Sequence, residues 1–421
     1  MAGLRPEADI RLVLAQMTAS DPKRSSGPAQ LLEIENGNRL GKQIRRLEHL
    51  SDWIQSVQLF SEKKMAVIRS SIVLAAIHVL WACSANAQSF VWSEGDAQQL
   101  ADKVSSGQYG QITSLWIEQN GDVIYADYFI GAGQDTLHNM RSAGKTVTGM
   151  LVGIAIDNGL IDSVGAKAAS FFDELRPFEN NDPRKEGITL EDLLTMSGPL
   201  ECDDWNSYSR GNEERMYLVE DWSAFFFNLP IKNRPSWEIP DDDGGFGRIF
   251  TYCTAGAQLL GEIVERAAGE STAEYAARQL FDPIGITNPK WNYASSGKAH
   301  LGGGLELTTA DWARVARLYV DRGRVGTKQI ISESWIDASM ADHVRIDEVT
   351  NYGYLWWRPR YEAGGLTYAA NSMSGSGGNR VYVLPEFKVV VVITKSDFRD
   401  RDAHEKSDRL FRDEIAVRLQ R

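Results

Sequence analysis

Thr136-Leu137-His138-Asn139-Met140-Arg141-Ser142-Ala143-Gly144-Lys145-Thr146-Val147-Thr148 is the stretch on which the reading of this chain turns. Ser142 and Lys145 are three apart, a spacing that on a helix sets both on one face with Cβ atoms roughly 5–6 Å apart. A lysine there reaches the serine oxygen. Serine is a weak nucleophile until a base takes its proton, and a lysine serves as that base when desolvation and neighbouring cations favour its neutral form. The residues that follow, Val147, Met150, Leu151, Val152, Ile154 and Ile156, are apolar, so Lys145 is expected to be buried near the start of a core helix. Helix N-terminal N–H groups at the same place can hold an oxyanion. Alone, Ser-x-x-Lys also fits an N-cap serine followed by a solvated lysine, and the rest of the chain has to decide.

The chain has 421 residues, 43% hydrophobic and 24% charged, which is ordinary globular composition. Its net charge of −12 is unevenly placed: residues 89–421 carry 34 basic and 49 acidic residues, a net of −15. Such a surface repels phosphate backbones, which argues against nucleic acid as a partner. No His-x-His, His-x-x-x-His or Cys-x-x-Cys spacing occurs, so neither a metal nor another cofactor is implied. A Ser-His-Asp triad would draw on His138, His300, His343 or His404, but no Gly-x-Ser-x-Gly elbow surrounds Ser142.

Residues 65–88, MAVIRSSIVLAAIHVLWACSANAQ, read as a secretory signal: a methionine, one arginine, an apolar run from Ile72 to Ala82, and a small-residue site at Ala85-Asn86-Ala87. The run is too short to span a bilayer. A signal works at an N-terminus, so Met65 is expected to be the true start, with 1–64 a spurious or disordered extension, 65–87 the signal peptide and 88–421 the functional domain. The product would be exported, periplasmic or secreted. Leu80-Trp81-Ala82-Cys83 is also a poor match to a lipoprotein box, and lipidation at Cys83 would be the one route to a membrane. Cleavage after Ala87 leaves two cysteines, Cys202 and Cys253, in an oxidising compartment where pairing is expected. Such a bridge would be worth roughly 4 kcal/mol for its loop length. Two buried free thiols are the alternative.

Around the opening stretch the spacing predicts a helix over Asp96–Val104, then strands Ile112–Glu118 and Asp122–Phe129 about Asn120-Gly121, a strong hairpin signal. Met140–Asp157 follows as a helix, stopped by Asn158-Gly159. The middle is helical and loop-rich: Leu190–Met196 after Thr189, an irregular polar run from Ser197 to Arg210, Thr254–Ala268 ending at Gly269, a capping box at Ser271 and Glu274, and Trp312–Tyr319 after Thr308. Strands return at Tyr352–Trp357, Arg380–Leu384 and Val389–Thr394, before a terminal helix over about 408–419. Strands at both ends with helices between imply one mixed sheet completed by the two chain ends, plus an inserted helical lobe.

The Thr136–Thr148 stretch resembles the active-site helix of the serine β-lactamase and penicillin-binding-protein-like superfamily, where Ser-x-x-Lys comes with two partner motifs. Phe250-Thr251-Tyr252-Cys253-Thr254-Ala255-Gly256 with Leu259-Leu260-Gly261 looks like the second, the Tyr-x-Asn segment of the class C β-lactamase and esterase branches. It implies that Tyr252 joins Ser142 and Lys145 as the second proton-relay group; a core tyrosine at a helix entry is the bland reading. Thr254 stands where the family usually has asparagine, and a hydroxyl cannot offer an amide's two donors to a substrate. The third motif, usually Lys-Thr-Gly or His-x-Gly, falls on Ser372-Met373-Ser374-Gly375-Ser376-Gly377-Gly378. By resemblance the N–H of Gly375 or Ser376 pairs with that of Ser142 as the oxyanion hole, with Ser374 beside it; a flexible Gly/Ser loop is the alternative. Thr189–Gly198, Gly302–Asp311 and Tyr352–Trp357 match further family blocks, so the likeness spans about Val91 to Leu419.

The resemblance implies a β-lactamase/transpeptidase-like α/β fold, with an antiparallel sheet built from both chain ends and flanking helices. It also implies acyl transfer through Ser142 on a small-molecule ester, amide or peptide, without a cofactor. The lysine that many β-lactamases use for a substrate carboxylate is missing from the third motif, which looks more like the esterase and aminohexanoate-oligomer hydrolase branches. A penicillin-interacting β-lactamase or D-Ala-D-Ala carboxypeptidase is one alternative, and an inactive relative that binds peptidoglycan or a protein is the other. Cys202 lies in the loop that in relatives borders the cleft, and Cys253 adjoins Tyr252, so their bridge would tie the tyrosine to the pocket wall. Trp205, Trp222, Trp237, Trp356 and Trp357 are candidates for an apolar acyl pocket, with core packing the expected role of most.

Overall fold

The Asn120-Gly121 pair makes the first turn: both residues have positive φ, 53° and 87°, as a two-residue hairpin loop demands. It joins β1 (Ile112–Gln119) to β2 (Asp122–Tyr128). This computed structural model describes residues 89–240 and 242–420. The expected extension, the signal peptide and Cys83 lie outside the described residues.

The main sheet has nine strands among the described residues, continuing with β3 (Val344–Arg345), β4 (Thr350–Tyr352), β5 (Trp357–Ala363), β6 (Leu366–Ala369), β7 (Asn371–Gly375), β8 (Asn379–Leu384) and β9 (Val389–Lys395). Its order is β2-β1-β9-β8-β7-β5-β4-β3, with β6 on β5. Every pairing is antiparallel, so the sheet is not mixed, and the two chain ends meet where β9 pairs with β1.

All seven residues of β9 are buried, which explains why Val389–Lys395 is nearly continuous in apolar residues rather than alternating. Val389, Val391 and Ile393 face a core shared with Leu100 and Val104 of α1 (Glu94–Ser105) and with Leu410, Phe411 and Ile415 near the C-terminus. Val390 and Val392 face the other core, shared with α2 (Gly144–Asp157), α3 (Thr254–Ala268) and α4 (Thr309–Val320). Helices therefore cover both faces, and Asn86–Arg421 forms one compact unit. Residues 160–250 supply the inserted lobe of short helices and loops, of which Trp222–Asn228 packs on α3.

Several boundaries differ from the expected ones, and three of them matter for the site or the ends of the sheet. Tyr352–Trp357 is not a strand: it ends β4, reverses through 353–356 and begins β5, with Gly353 N donating to Trp356 O at 2.9 Å and Leu355 at φ 59°. A Cβ on Gly353 would lie 2.2 Å from Ser339 O, so the aromatic-rich run turns where only glycine fits. The terminal helix begins earlier, at Ala403, and the chain ends as a strand, Leu419–Gln420, paired with Ser89–Phe90. The helix expected from Met140 begins as a 3₁₀ turn, Arg141–Ala143, before α2 proper.

Candidate active site

That 3₁₀ turn sets the position of Ser142. Arg141 adopts a left-handed φ of 54°, a conformation costing of order 1 kcal/mol for a non-glycine residue, and its N–H is held by Asn139 Oδ1 at 2.8 Å. Lys145 follows in the first turn of α2 and is 1% exposed. Its Nζ donates to Ser142 Oγ at 2.8 Å and to Gly302 O at 2.6 Å, and lies 5.1 Å from the centre of the Tyr252 ring. Among the described residues no carboxylate comes within ion-pair distance of it. The structure thus brings the first two predicted residues into direct contact in a dry setting.

Tyr252 is buried immediately before α3, and the backbone around it is tied down from several sides. Cys253 caps α3, its sulfur accepting from Gly256 N, and is joined to Cys202 with Cα atoms 5.3 Å apart. Asp204, two residues beyond Cys202, donates its N–H to Tyr252 O at 2.9 Å, while its carboxylate accepts from Thr254 N at 2.7 Å and Glu213 N at 2.9 Å. Among the described residues the Tyr252 hydroxyl takes no hydrogen-bond partner, so its capacity is uncommitted. Breaking the bridge by Cys202→Ser should therefore cost about 4 kcal/mol for a 51-residue separation, read by urea unfolding with and without reductant.

Thr254 opens α3. It is fully buried and its hydroxyl donates to Glu213 Oε2 at 3.1 Å, so its side chain supports the pocket wall instead of meeting a substrate. The third motif is a strand end, not a loose loop. A Cβ on Gly375 would fall 1.8 Å from Met140 O and 3.2 Å from Ala143 N, so glycine alone lets β7 press on the turn that carries Ser142. Ser376 then opens a turn through Gly377 and Gly378, both at positive φ. Ser374 Oγ accepts from Arg380 on the paired strand, and Arg380 is held in turn by Asp408 and His404. Met373 is completely buried, so this strand carries no cation toward the cleft.

Sequence reasoning passed over a polar group beside the lysine. Glu213 Oε2 also accepts from Tyr217 OH at 3.3 Å, and the Tyr217 oxygen lies 3.4 Å from His300 Nε2. His300 backs onto Gly302, where a Cβ would come within 3.1 Å of Nε2. Its position two residues before the glycine run was the available signal; Asp204 and Glu213 gave none beyond their place in a polar loop.

Burial pushes the Asp204 carboxyl up to about 6, against the pull of the Lys145 charge and the Thr254 bond. Burial pushes His300 down to about 4, aided by Lys145 and Arg141, and alone does the same to His138. The signs oppose each other. As pH falls from 6.5 toward 4 the unfolded chain protonates its histidines first, so His138 and His300 each cost stability; Asp204 protonates first in the folded state and adds stability between about 6 and 4. Each of these three shifts is worth on the order of 3 kcal/mol, so the two histidines together outweigh Asp204. His404, which burial also pushes down to about 4, acts in the same direction as they do. Melting curves should show a falling Tm between these pH values, and a steeper fall for Asp204→Asn. A Tm that rises on acidification would contradict the assignment.

A beta-lactamase family model matches residues 108–413, which takes in the Ser142 turn, the Tyr252 segment and the Gly375 strand. The chain belongs to the beta-lactamase family. Within it, the 6-aminohexanoate-dimer hydrolase of Paenarthrobacter ureafaciens is 24% identical over 304 residues, 66% of this chain and 71% of that one. The lovastatin esterase of Penicillium rubens is 25% identical over 177 residues, 37% of this chain and 40% of the esterase. A crystal structure of a family VIII carboxylesterase shares the fold with a TM-score of 0.56 at 17% identity, covering 77% of this chain and 99% of that one. The beta-lactamase/transpeptidase-like architecture expected from the motifs is therefore the one this family member has.

Proposed function

We propose that the chain is a serine hydrolase that cleaves a small carboxylic ester or amide through an acyl-enzyme on Ser142. The observation that carries this reading is the 2.8 Å contact between a buried lysine amine and the serine hydroxyl. Ser142 Oγ attacks the carbonyl carbon while Lys145 Nζ accepts its proton, and the tetrahedral oxyanion is held by backbone N–H groups of Ser142 and of Gly375 or Ser376. Tyr252, beside the amine, hands a proton to the departing oxygen or nitrogen. Water then enters, loses a proton to the same pair and releases the acid. The Gly302 carbonyl helps to fix the amine, since it accepts from Nζ at 2.6 Å.

A dimer hydrolase and an esterase among the relatives accord with a small acylated substrate. Recognition of a penicillin carboxylate is disfavoured because the third motif, Ser372–Gly378, contains no lysine. An inactive binding protein is disfavoured because Ser142, Lys145 and Tyr252 are all present and adjacent. Short p-nitrophenyl esters, small amides and nitrocefin test the choice: ester or amide turnover with little nitrocefin cleavage is expected, and efficient nitrocefin hydrolysis would favour the β-lactamase reading. The proposal includes export directed by residues 65–87, for which the Cys202–Cys253 bridge suits an oxidising compartment. N-terminal mapping of the natively expressed protein checks it: a start at or after Met65 is expected, and a peptide from before Met65 would count against it.

A further inference from the structure

The five tryptophans singled out in the sequence separate into different roles. Trp356 is wholly in the core and Trp222 is buried, whereas Trp237 is exposed without a ring partner among the described residues. Trp205 is the exception. It is 63% exposed, yet its indole stacks on the ring of Tyr252 with centroids 5.7 Å apart and planes within 7°. Phe250 at 5.6 Å and Trp357 at 6.2 Å complete an aromatic group around it, and Trp357 also meets the tyrosine ring at 5.8 Å.

A large ring left that open adds little to the core. The segment that presents it is fastened on both sides: Cys202 is bonded to Cys253, both Asp204 carboxylate oxygens take backbone N–H groups, and Trp205 N donates to Asp203 Oδ1 at 3.1 Å. One face of the indole therefore covers Tyr252 while much of the remainder stays in solvent. We infer that Trp205, with Trp357 beside it, is a specificity-determining platform for an apolar or planar leaving group. The inference rests on the hydrolase reading, in which Tyr252 protonates the departing atom. A ring stacked on that tyrosine lies next to the alcohol or amine that leaves, and an aromatic surface selects apolar partners through contact area and ring geometry.

Acetate esters of ethanol, hexanol and benzyl alcohol, followed by pH-stat, vary the leaving group; ethyl acetate, butanoate and hexanoate vary the acyl group instead. For Trp205→Ala, kcat/KM for benzyl and hexyl acetate should fall relative to ethyl acetate by roughly five- to tenfold, the scale of one aromatic contact, mainly through KM. Trp205→Phe should restore most of the ratio. A proportional loss on all acetates would make Trp205 only a support for Tyr252 and overturn the inference. A changed ratio confined to the acyl series would overturn it too, by moving the platform to the other side of the scissile bond. Both results leave the hydrolase reading standing. A wild-type protein inert toward every ester and toward the matching N-alkyl acetamides would remove that reading, and the platform with it.

Discussion

Ser142→Ala is expected to abolish turnover, by about 10⁴-fold or more, on whichever ester or amide the wild type hydrolyses best. The size of the loss follows from the absence of a substitute. Among the described residues Ser142 is the only hydroxyl to which Lys145 Nζ is hydrogen-bonded, and the amine's other bond goes to the Gly302 carbonyl, which cannot act as a nucleophile. The fold should survive the change, because Ser142 sits half-buried in a 3₁₀ turn and Lys145 keeps its carbonyl partner. Steady-state rates together with a melting curve give the check. A variant that melts like the wild type and still turns over at a comparable rate would place the nucleophile elsewhere.

Lys145→Ala and Tyr252→Phe should each lower kcat by about 10²- to 10⁴-fold, the range for a positioned acid or base. Their combination should be little worse than the more damaging single change, because the two groups move the same proton in sequence. The two variants differ in what else they disturb. Tyr252→Phe removes one oxygen that has no hydrogen-bond partner among the described residues and keeps the stacked ring. Lys145→Ala opens a cavity in α2 and leaves the buried Gly302 carbonyl unpaired, a loss of roughly 1–3 kcal/mol in stability from that group alone. Single-turnover kinetics at a temperature where every variant is folded separate the chemical effect from the structural one. Losses that multiplied in the double variant would mean independent roles and would contradict a shared relay.

Much of this arrangement was legible because local rules and distant packing agree. Asn120-Gly121 specified a hairpin through the φ its turn needs, and Thr308 with Asp311 signalled α4, which begins directly after the Thr308 cap and not at the expected Trp312. Thr254–Ala268 was found to the residue because Gly269, at φ 70°, ends it in the left-handed conformation glycine favours. The Ser142–Lys145 contact was legible for a related reason: helical geometry brings positions three apart together wherever the helix lies. What escaped depends on long-range assembly. Asp204, Glu213 and His300 reach the lysine's neighbourhood from three separate segments, and nothing in a polar loop announces which carboxylate will be buried. The partner of Thr254 also escaped, because the resemblance gave the position of the side chain but not its contact with Glu213. Tyr352–Trp357 was misread because aromatic residues favour strands, while the reversal is set by Gly353 pressing against Ser339.

A dry amine one hydrogen bond from a single alcohol is what the chemistry requires, and covalent labelling reports on that pair without assuming a substrate. An alkyl fluorophosphonate, followed by proteolysis and mass spectrometry, should mark the peptide containing Ser142, rapidly in the wild type and far more slowly in Lys145→Ala. A label on another serine, or equal labelling rates in the two proteins, would contradict the account.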